Sequence, residues 1–386
     1  MAGRRRRGRL DMAAAPFIGA AALVALIAAC GTAGSAGSAG DKANDTGVTT
    51  ARAAAEPAGT ISESGSGLLF PLAQRWAAAY HQQFPGVTVT TASTGSGKGI
   101  ALASAGQVDI GASDAYLSSG DLVKNPALLN IPLAISAQTI IYNIPGLPRD
   151  SHVDLDGKVL AGIYDGTVKT WNDPAIVGIG LNKNLNLPAM KIVPVHRSDG
   201  SGDTFLFTSY LSTNDQMWDQ TIGYGTTAAW PPVSGSMAEK GSVATMNSCE
   251  STPGCIAYNG ISYLSRELNS GKIGYAALAN NAHQYTLPTG PAIQSSVNSF
   301  VSLTPPNETM SIIDGPSSTG YPIVNFEYAI VSTRQPDAGR ASAIKAFLNW
   351  AITTGNDQTY LSTYGFQPLP AAVVTLGQRQ VGEIGS

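Results

Sequence analysis

The sequence predicts a mixed α/β fold divided between two lobes. Short runs rich in β-forming residues alternate with helical stretches along residues 59–386, as they do where helices cover a mostly parallel sheet. That length is sufficient for two lobes with separate cores. In addition, a strand end, a Gly/Ser turn and a helix start follow one another three times, at 64–69, 94–100 and 198–205.

The N-terminal segment resembles the signal peptide of a bacterial lipoprotein. Arginines cluster near the start, and the apolar stretch at 13–29 is short for a membrane span, which needs ~20 residues. Small residues precede Cys30 as in a lipobox, so residues 1–30 are expected to be a signal peptide and Cys30 the lipidated mature N-terminus. The alternative is an ordinary secretory signal with an incidental cysteine. Residues 31–58, mostly small and polar, are expected to form a flexible linker.

Local patterns predict the first elements of the mature chain. Apolar residues at helical spacing, with Pro71 in the first turn, predict a helix over 69–84. Residues 87–91 read as a strand, and a short alanine-rich helix then ends at Gly106. Residues 108–110 alternate like a further strand that runs into a small-residue turn.

Two more elements are expected near the C-terminus. Residues 321–331 form an apolar run typical of a buried strand. Residues 341–353 carry apolar side chains on one helical face, which predicts a helix. We find no internal repeat at the periods of solenoid proteins.

The segment around Arg197 has the composition of an oxyanion pocket. Arg197 offers a planar fork of donors, and Ser201 and Gly202 follow just before an apolar segment that reads as a helix. A helix start presents N–H groups and the positive end of its dipole. The alternative is a turn followed by a capped helix. The nearby Gly95–Gly99 stretch fails as a P-loop, because Gly99 stands where Ser or Thr should bind Mg²⁺.

Composition and motifs argue against several other functions. Charged residues make up 13% of the chain and the net charge is −3, which disfavours a nucleic-acid partner. The histidines show no metal-ligand spacing, and Ser201 lacks the motif of a hydrolase nucleophile, so neither a metal, a cofactor nor an enzymatic reaction is expected. For Cys249 and Cys255, export favours a disulfide over a zinc site, because no histidine lies nearby.

Four motifs together resemble the phosphate-binding protein family of Pst-type ABC importers. Residues 111–118 and 197–202 carry the resemblance, and residues 166–176 and 252–258 match further signatures of the family. The similarity runs from about Gly59 to the C-terminus. The cysteine pair and the residues after Gly202 are most similar to the lipoprotein form found in high-GC Gram-positive bacteria.

The resemblance implies a periplasmic-binding-protein type II fold, with two α/β lobes joined by a two-strand hinge. Residues 59–136 and 322–386 would form the first lobe and residues 137–321 the second. The implied function is capture of inorganic phosphate by a monomer, lipid-anchored on the extracytoplasmic face of the cell membrane, which passes it to an ABC permease. The alternatives are an exported phosphatase and a binder of another oxyanion.

The same resemblance implies a set of phosphate-binding residues: Gly67, Leu68, Ser96, Asp114, Arg197, Ser201, Gly202 and Asp203. Asp114 would accept a proton from phosphate, and Arg197 would pair with two of its oxygens. Two positions depart from the family pattern. Gly67 and Leu68 replace Thr-Phe, so one hydroxyl is missing, and Asp203 replaces Thr, which places a second carboxylate near an anionic ligand.

Overall fold

The computed structural model of the chain describes residues 59–386. The predicted signal peptide at 1–30, with its lipidation site Cys30, and the predicted linker at 31–58 lie outside the described residues. None of the helices in the described part is both long and apolar enough to cross a membrane.

The predicted α/β class is confirmed by an alternation of strands and helices. The strands are β1 (Gly59–Gly65), β2 (Val87–Thr90), β3 (Ile110–Ser113), β4 (Leu128–Tyr142), β5 (Asp154–Leu155), β6 (Val193–Arg197), β7 (Met237–Glu239), β8 (Cys255–Gly260), β9 (Gly274–Tyr275), β10 (Ala277–Ala279), β11 (Tyr285–Thr286) and β12 (Val324–Ser332).

The α-helices alternate with these strands along the described residues. They are α1 (Phe70–Gln83), α2 (Ser96–Ser104), α3 (Ser119–Lys124), α4 (Gly157–Asp165), α5 (Pro174–Val177), α6 (Gly202–Asn214), α7 (Gln216–Thr221), α8 (Ser242–Ser251), α9 (Leu264–Asn269), α10 (Gly290–Asn298), α11 (Ala338–Ile352), α12 (Gln358–Leu361) and α13 (Ala371–Gly382).

The main sheet has the strand order β2-β1-β3-β12-β4-β8-β6-β7, and β9 also pairs with β4. One parallel set comprises β1, β2 and β3, and a second comprises β6, β7 and β8. The two sets are separated by β12 and β4, which run antiparallel to each other. The first part of β4 pairs with β12, and its last residues pair with β8.

The two central strands form the core of the sheet. All residues of β4 and all but the last of β12 are buried. Strands covered on both faces need near-continuous apolar runs, which is why the segment at 321–331 is typical of a buried strand. The strand predicted at 321–331 begins somewhat later, at Val324.

Several predicted elements are confirmed, with observed bounds close to the predicted ones. Helix α1 has Pro71 in its first turn and ends at Gln83. Strand β2 ends at Thr90, and α11 covers almost all of the predicted 341–353 helix. Helix α2 is followed by Gly106 in a left-handed conformation, at φ 64°.

The strand predicted at 108–110 was misplaced. In the structure β3 starts only at Ile110 and continues through Gly111 to Ser113. Asp109 instead accepts hydrogen bonds from the N–H and hydroxyl of Ser62, at 2.7 and 2.8 Å. Position 111 of the strand requires glycine because α2 passes close to it: a Cβ there would clash with the carbonyl of Gly99, which lies in α2.

A disulfide joins Cys249, in α8, to Cys255, at the start of β8. The two sulfurs are 2.04 Å apart, and both cysteines are fully buried. The bond thereby fixes one end of α8 to the sheet.

Candidate functional site

The predicted site residues lie where parallel strands end. Asp114 follows β3, Ser96 begins α2 shortly after β2, and Arg197 ends β6. Carboxyl ends of parallel strands share an edge within each set, and the two sets run in opposite directions on either side of β12 and β4, so the loops at their carboxyl ends face each other. The N-termini of α2 and α6 point to the same region, as the sequence predicted from its Gly/Ser turns.

Glycines allow the two groups of loops to approach each other. Gly95 has φ 90°, a conformation that disfavours a side chain. Two residues later, the N–H of Gly97 donates to the Gly200 carbonyl at 3.1 Å. A Cβ on Gly202 would clash with both the Asp114 carboxylate and the Ser96 hydroxyl. The structure therefore brings the Asp114 and Ser96 side chains directly against the first turn of α6.

Arg197 is buried and is held by two carboxylates. Its Nε and one terminal nitrogen donate to the two oxygens of Asp199, at 2.7 and 2.6 Å. Its other terminal nitrogen donates to Asp203 at 2.8 Å. The guanidinium predicted to bind a ligand is thus partly bonded to carboxylates of the protein. A guanidinium has five N–H donors, so these bonds do not use all of them.

The three groups shift one another's pKa values. Burial lowers the pKa of Arg197, but the hydrogen bonds and charges of Asp199 and Asp203 outweigh it and raise that pKa overall. Burial works against ionisation of Asp199, yet its contact with Arg197 prevails and lowers its pKa. For Asp203 burial prevails and raises the pKa in spite of Arg197.

Asp203 is fully buried and well supplied with donors. Gln138 donates to its backbone carbonyl at 2.7 Å and to its carboxylate at 3.3 Å. The Ser242 hydroxyl lies 3.1 Å from the second carboxylate oxygen and 3.3 Å from the Arg197 guanidinium. The Asp203 carboxylate is therefore turned toward Arg197 and Ser242.

Asp114 is buried, and within residues 59–386 it forms no ion pair with a Lys, Arg or His side chain. A short hydrogen bond joins Ser66 Oγ and Asp114 Oδ1, and the Asp114 N–H donates to Ser96 Oγ at 3.1 Å. Burial raises the pKa of Asp114 well above its ordinary value, and the charges of Glu327 and Asp203 raise it further. Since Ser96 Oγ accepts from Asp114, its own hydrogen can be donated elsewhere.

Ser201 and Gly67 border the same region through different groups. The Ser201 N–H donates to the Thr226 carbonyl at 2.8 Å. The buried hydroxyl of Ser201 is therefore the group of this residue that can bind a ligand. A Cβ on Gly67 would lie 2.8 Å from Ser242 Oγ, so Gly67 reaches the hydroxyl that contacts Arg197 and Asp203.

The Leu68 side chain packs away from these polar groups. It is fully buried, and a Cβ on Gly260 would clash with it. The backbone around it is held by the segment after β8, because Ser262 donates to the Leu68 carbonyl at 2.7 Å and Tyr263 donates to the Gly67 carbonyl at 2.9 Å. Only main-chain groups of Leu68 could therefore contact a ligand.

The sequence did not predict that Ser66, Asp199, Ser242 and Glu327 contribute to this cluster. Ser242 begins α8 directly after Gly241, which is the same Gly/Ser turn and helix start used elsewhere, so the signal was present. Ser66 lay within a turn that we had singled out. Glu327 was visible only as a lone acid in an apolar strand.

The assembled cluster is suited to a protonated oxyanion. It offers one guanidinium, several hydroxyls and helix N-termini as donors, all of them buried. It also contains four acidic side chains, Asp114, Asp199, Asp203 and Glu327, against the single charge of Arg197. A fully deprotonated anion would face unpaired carboxylates there, whereas an anion that carries a hydrogen could donate it to one of them.

Comparisons with known proteins agree with this composition. A family model described as a PBP superfamily domain matches residues 50–354. A protein named phosphate-binding protein PstS from Methanocaldococcus jannaschii is 33% identical over 353 residues, which is 85% of this chain and 88% of that protein. Phosphate-binding protein PstS 3 from Mycobacterium leprae is 32% identical, covering 81% of this chain and 83% of the relative.

Solved structures share the fold. The high-affinity periplasmic phosphate-binding protein PfluDING, solved with bound phosphate, superimposes with a TM-score of 0.64 at 21% identity, over 85% of this chain and 99% of that one. A human phosphate-binding apolipoprotein gives a TM-score of 0.63 at 21% identity, over 82% and 92% of the two chains. At such identities the similarity establishes the periplasmic-binding-protein fold.

Proposed function

The chain belongs to the PBP superfamily and, within it, to the PstS phosphate-binding proteins, and we propose that it captures inorganic phosphate outside the cell for an ABC importer. The observation that carries this proposal is the buried cluster that contains Arg197, Ser96, Ser201 and Asp114. The relatives described above are named as phosphate-binding proteins, and the proposed role requires no reaction.

In this proposal phosphate is bound by donors from both groups of loops. Arg197 supplies the N–H groups that Asp199 and Asp203 leave over, and Ser96 and Ser201 supply hydroxyls. Main-chain N–H groups of Gly67, Leu68 and Gly202 complete the set. Charge-assisted hydrogen bonds of this kind are stronger in a buried site, where water does not compete.

Asp114 would decide which oxyanion is accepted. Monohydrogen phosphate can donate its hydrogen to the Asp114 carboxylate, whereas sulfate has no hydrogen to donate at neutral pH. Two buried negative groups would then meet without a proton between them, which costs several kcal/mol, and each ~1.4 kcal/mol is a factor of ten in affinity. Asp203, already bonded to Arg197, would act mainly by orienting that guanidinium.

Calorimetry on phosphate-stripped protein tests the proposal. We expect one phosphate per chain and no competition from sulfate. Tight sulfate binding would leave the fold assignment intact but refute the role of Asp114. Absence of heat with phosphate, together with heat from molybdate or a phosphonate, would show that the site serves another oxyanion.

We further propose that the ligand is enclosed between two lobes, made of residues 59–136 with 322–386 and of residues 137–321. The pairing pattern supports this division, because β4 pairs first with β12 and then with β8. Asp114 and Ser96 would then belong to one lobe, and Arg197 and Ser201 to the other.

The proposed anchor of the protein is a lipid on Cys30, with the remainder acting as a monomer on the extracytoplasmic face of the membrane. Cys30→Ala in a native-like host should release the protein or leave its signal uncleaved. Retention of the protein at the membrane without Cys30 would instead indicate a signal anchor.

A further inference from the structure

Glu327 is a buried acid in the middle of β12, next to the proposed site, and nothing above gives it a function. Its side chain is fully buried. In the described part of the chain, neither Glu327 nor Asp114 forms an ion pair with a Lys, Arg or His side chain. A buried acid of this kind is tolerated only if it is protonated or shares a proton with a neighbour.

The contacts of Glu327 differ between its two oxygens. Oε1 lies 2.6 Å from the Ser136 hydroxyl and accepts from the Asn325 side-chain amide at 3.0 Å. Oε2 lies 3.3 Å from Ser66 Oγ. Ser66 is the same residue whose hydroxyl meets Oδ1 of Asp114. A single hydroxyl therefore connects the two carboxyl groups.

The two oxygens of Asp114 also face different surroundings. Oδ1 is turned to Ser66, whereas Oδ2 is the oxygen that a Cβ on Gly202 would meet. One side of this carboxyl is thus turned to Glu327 and the other to the residues proposed to hold phosphate.

We propose that Glu327 sets the protonation state of Asp114 through Ser66, so that Asp114 is ionised when phosphate is bound. This rests on the proposed function. Without ligand, the pair holds one proton on Asp114 Oδ1, which donates it to Ser66 Oγ, while the Ser66 hydroxyl hydrogen is turned to Glu327 Oε2. When phosphate enters, the Asp114 proton passes to Ser66 Oγ and the Ser66 hydroxyl proton passes to Glu327 Oε2. The pair keeps one proton throughout, Glu327 becomes neutral, and Asp114 Oδ2 accepts the hydrogen of the phosphate P–O–H group.

The charges around the pair favour a single shared proton. Asp114 and Glu327 face each other, and Asp203, in the first turn of α6, is the other acid that acts on both. Burial raises the pKa of Glu327, as it does that of Asp114, so both carboxyls resist full ionisation. If both were ionised, a phosphate dianion would enter a cluster with four negative side chains and one guanidinium.

Infrared difference spectroscopy tests this proposal on the intact wild-type protein. Spectra of phosphate-stripped protein are subtracted from those of the protein saturated with inorganic phosphate, with carboxyl carbons labelled by ¹³C in glutamate or in aspartate. We expect binding to create a protonated-carboxyl band that shifts with the glutamate label and to remove one that shifts with the aspartate label. A gained band that follows the aspartate label, or no change in protonated carboxyls, would overturn the proposal.

Variants identify the residue. In protein saturated with inorganic phosphate, Glu327→Gln should abolish the gained glutamate band, because a glutamine side chain has no carboxylate to accept the proton. Glu308→Gln is the matched control: Glu308 is another buried glutamate, bonded to Gln380 at 2.7 Å, and the band should persist. A band that survives Glu327→Gln would refute the assignment. Failure of wild-type protein to bind phosphate would refute the proposed function itself.

Discussion

Replacing Arg197 by lysine tests the centre of the proposed site while keeping its charge. In the structure the guanidinium makes two hydrogen bonds with Asp199 and one with Asp203, and all three side chains are largely excluded from water. A lysine ammonium is a compact group on a flexible stem and cannot reproduce the planar fork. It would leave at least one buried carboxylate oxygen, or one phosphate oxygen, without its partner.

The expected loss follows from the number of bonds. One hydrogen bond to a charged group contributes ~1.5–3 kcal/mol, so phosphate affinity should fall by roughly ten- to 150-fold. The loss would be larger if Asp199 and Asp203 compete with phosphate for the ammonium. Because these carboxylates are buried, Arg197→Lys should also lower the melting temperature.

Calorimetric titration of phosphate-stripped protein measures the effect, with circular dichroism to confirm folding. Lys98→Ala is the matched control: Lys98 lies in the first turn of α2, one of the helices whose N-terminus borders the site, but its side chain is exposed, so its loss should change affinity little. If Arg197→Lys lowers affinity by less than about threefold, then Arg197 does not bind phosphate directly.

Three further predictions concern other parts of the chain. Burial raises the pKa of Glu267 in the folded protein to about 8, so between about pH 4.5 and 8 the unfolded chain ionises this carboxyl and the folded protein loses stability. Over that range the melting temperature of Glu267→Gln should rise relative to that of wild type. A difference that shrinks as pH rises would contradict this. Substituting Cys249 and Cys255 together by Ser should lower the melting temperature by roughly 2–4 °C and leave phosphate affinity unchanged; free thiols in the oxidised native protein would exclude the disulfide. Small-angle scattering should show a smaller radius of gyration with phosphate than without it, whereas superimposable profiles would mean that the lobes do not close on the ligand.

Local patterns in the sequence were sufficient for the elements that depend on nearby residues. Helix α1 was predictable because its apolar spacing and Pro71 act within single turns. The strand at 108–110 was misplaced because its bounds depend on partners far along the chain. Asp109 bonds to Ser62, and Gly111 must accommodate α2.

The site could be predicted in part for the same reason. The Gly/Ser turns before helices are local signals, and they correctly marked Ser96, Ser201 and Gly202 as residues that meet at one place. The pairing of Arg197 with Asp199 spans two positions and was not recognised, because residue types do not show which way a guanidinium turns.

The sequence by itself determined the fold class, through its alternation of strand and helix patterns, and the family, through the resemblance of short motifs. Only the tertiary structure decided how the acids are arranged. The Ser66 hydroxyl and the Glu327 carboxylate lie 261 positions apart in sequence and 3.3 Å apart in the fold. Such a contact depends on how β12 is placed beside β3, and in a buried, water-poor site it is contacts of this kind that decide which carboxyl keeps its proton.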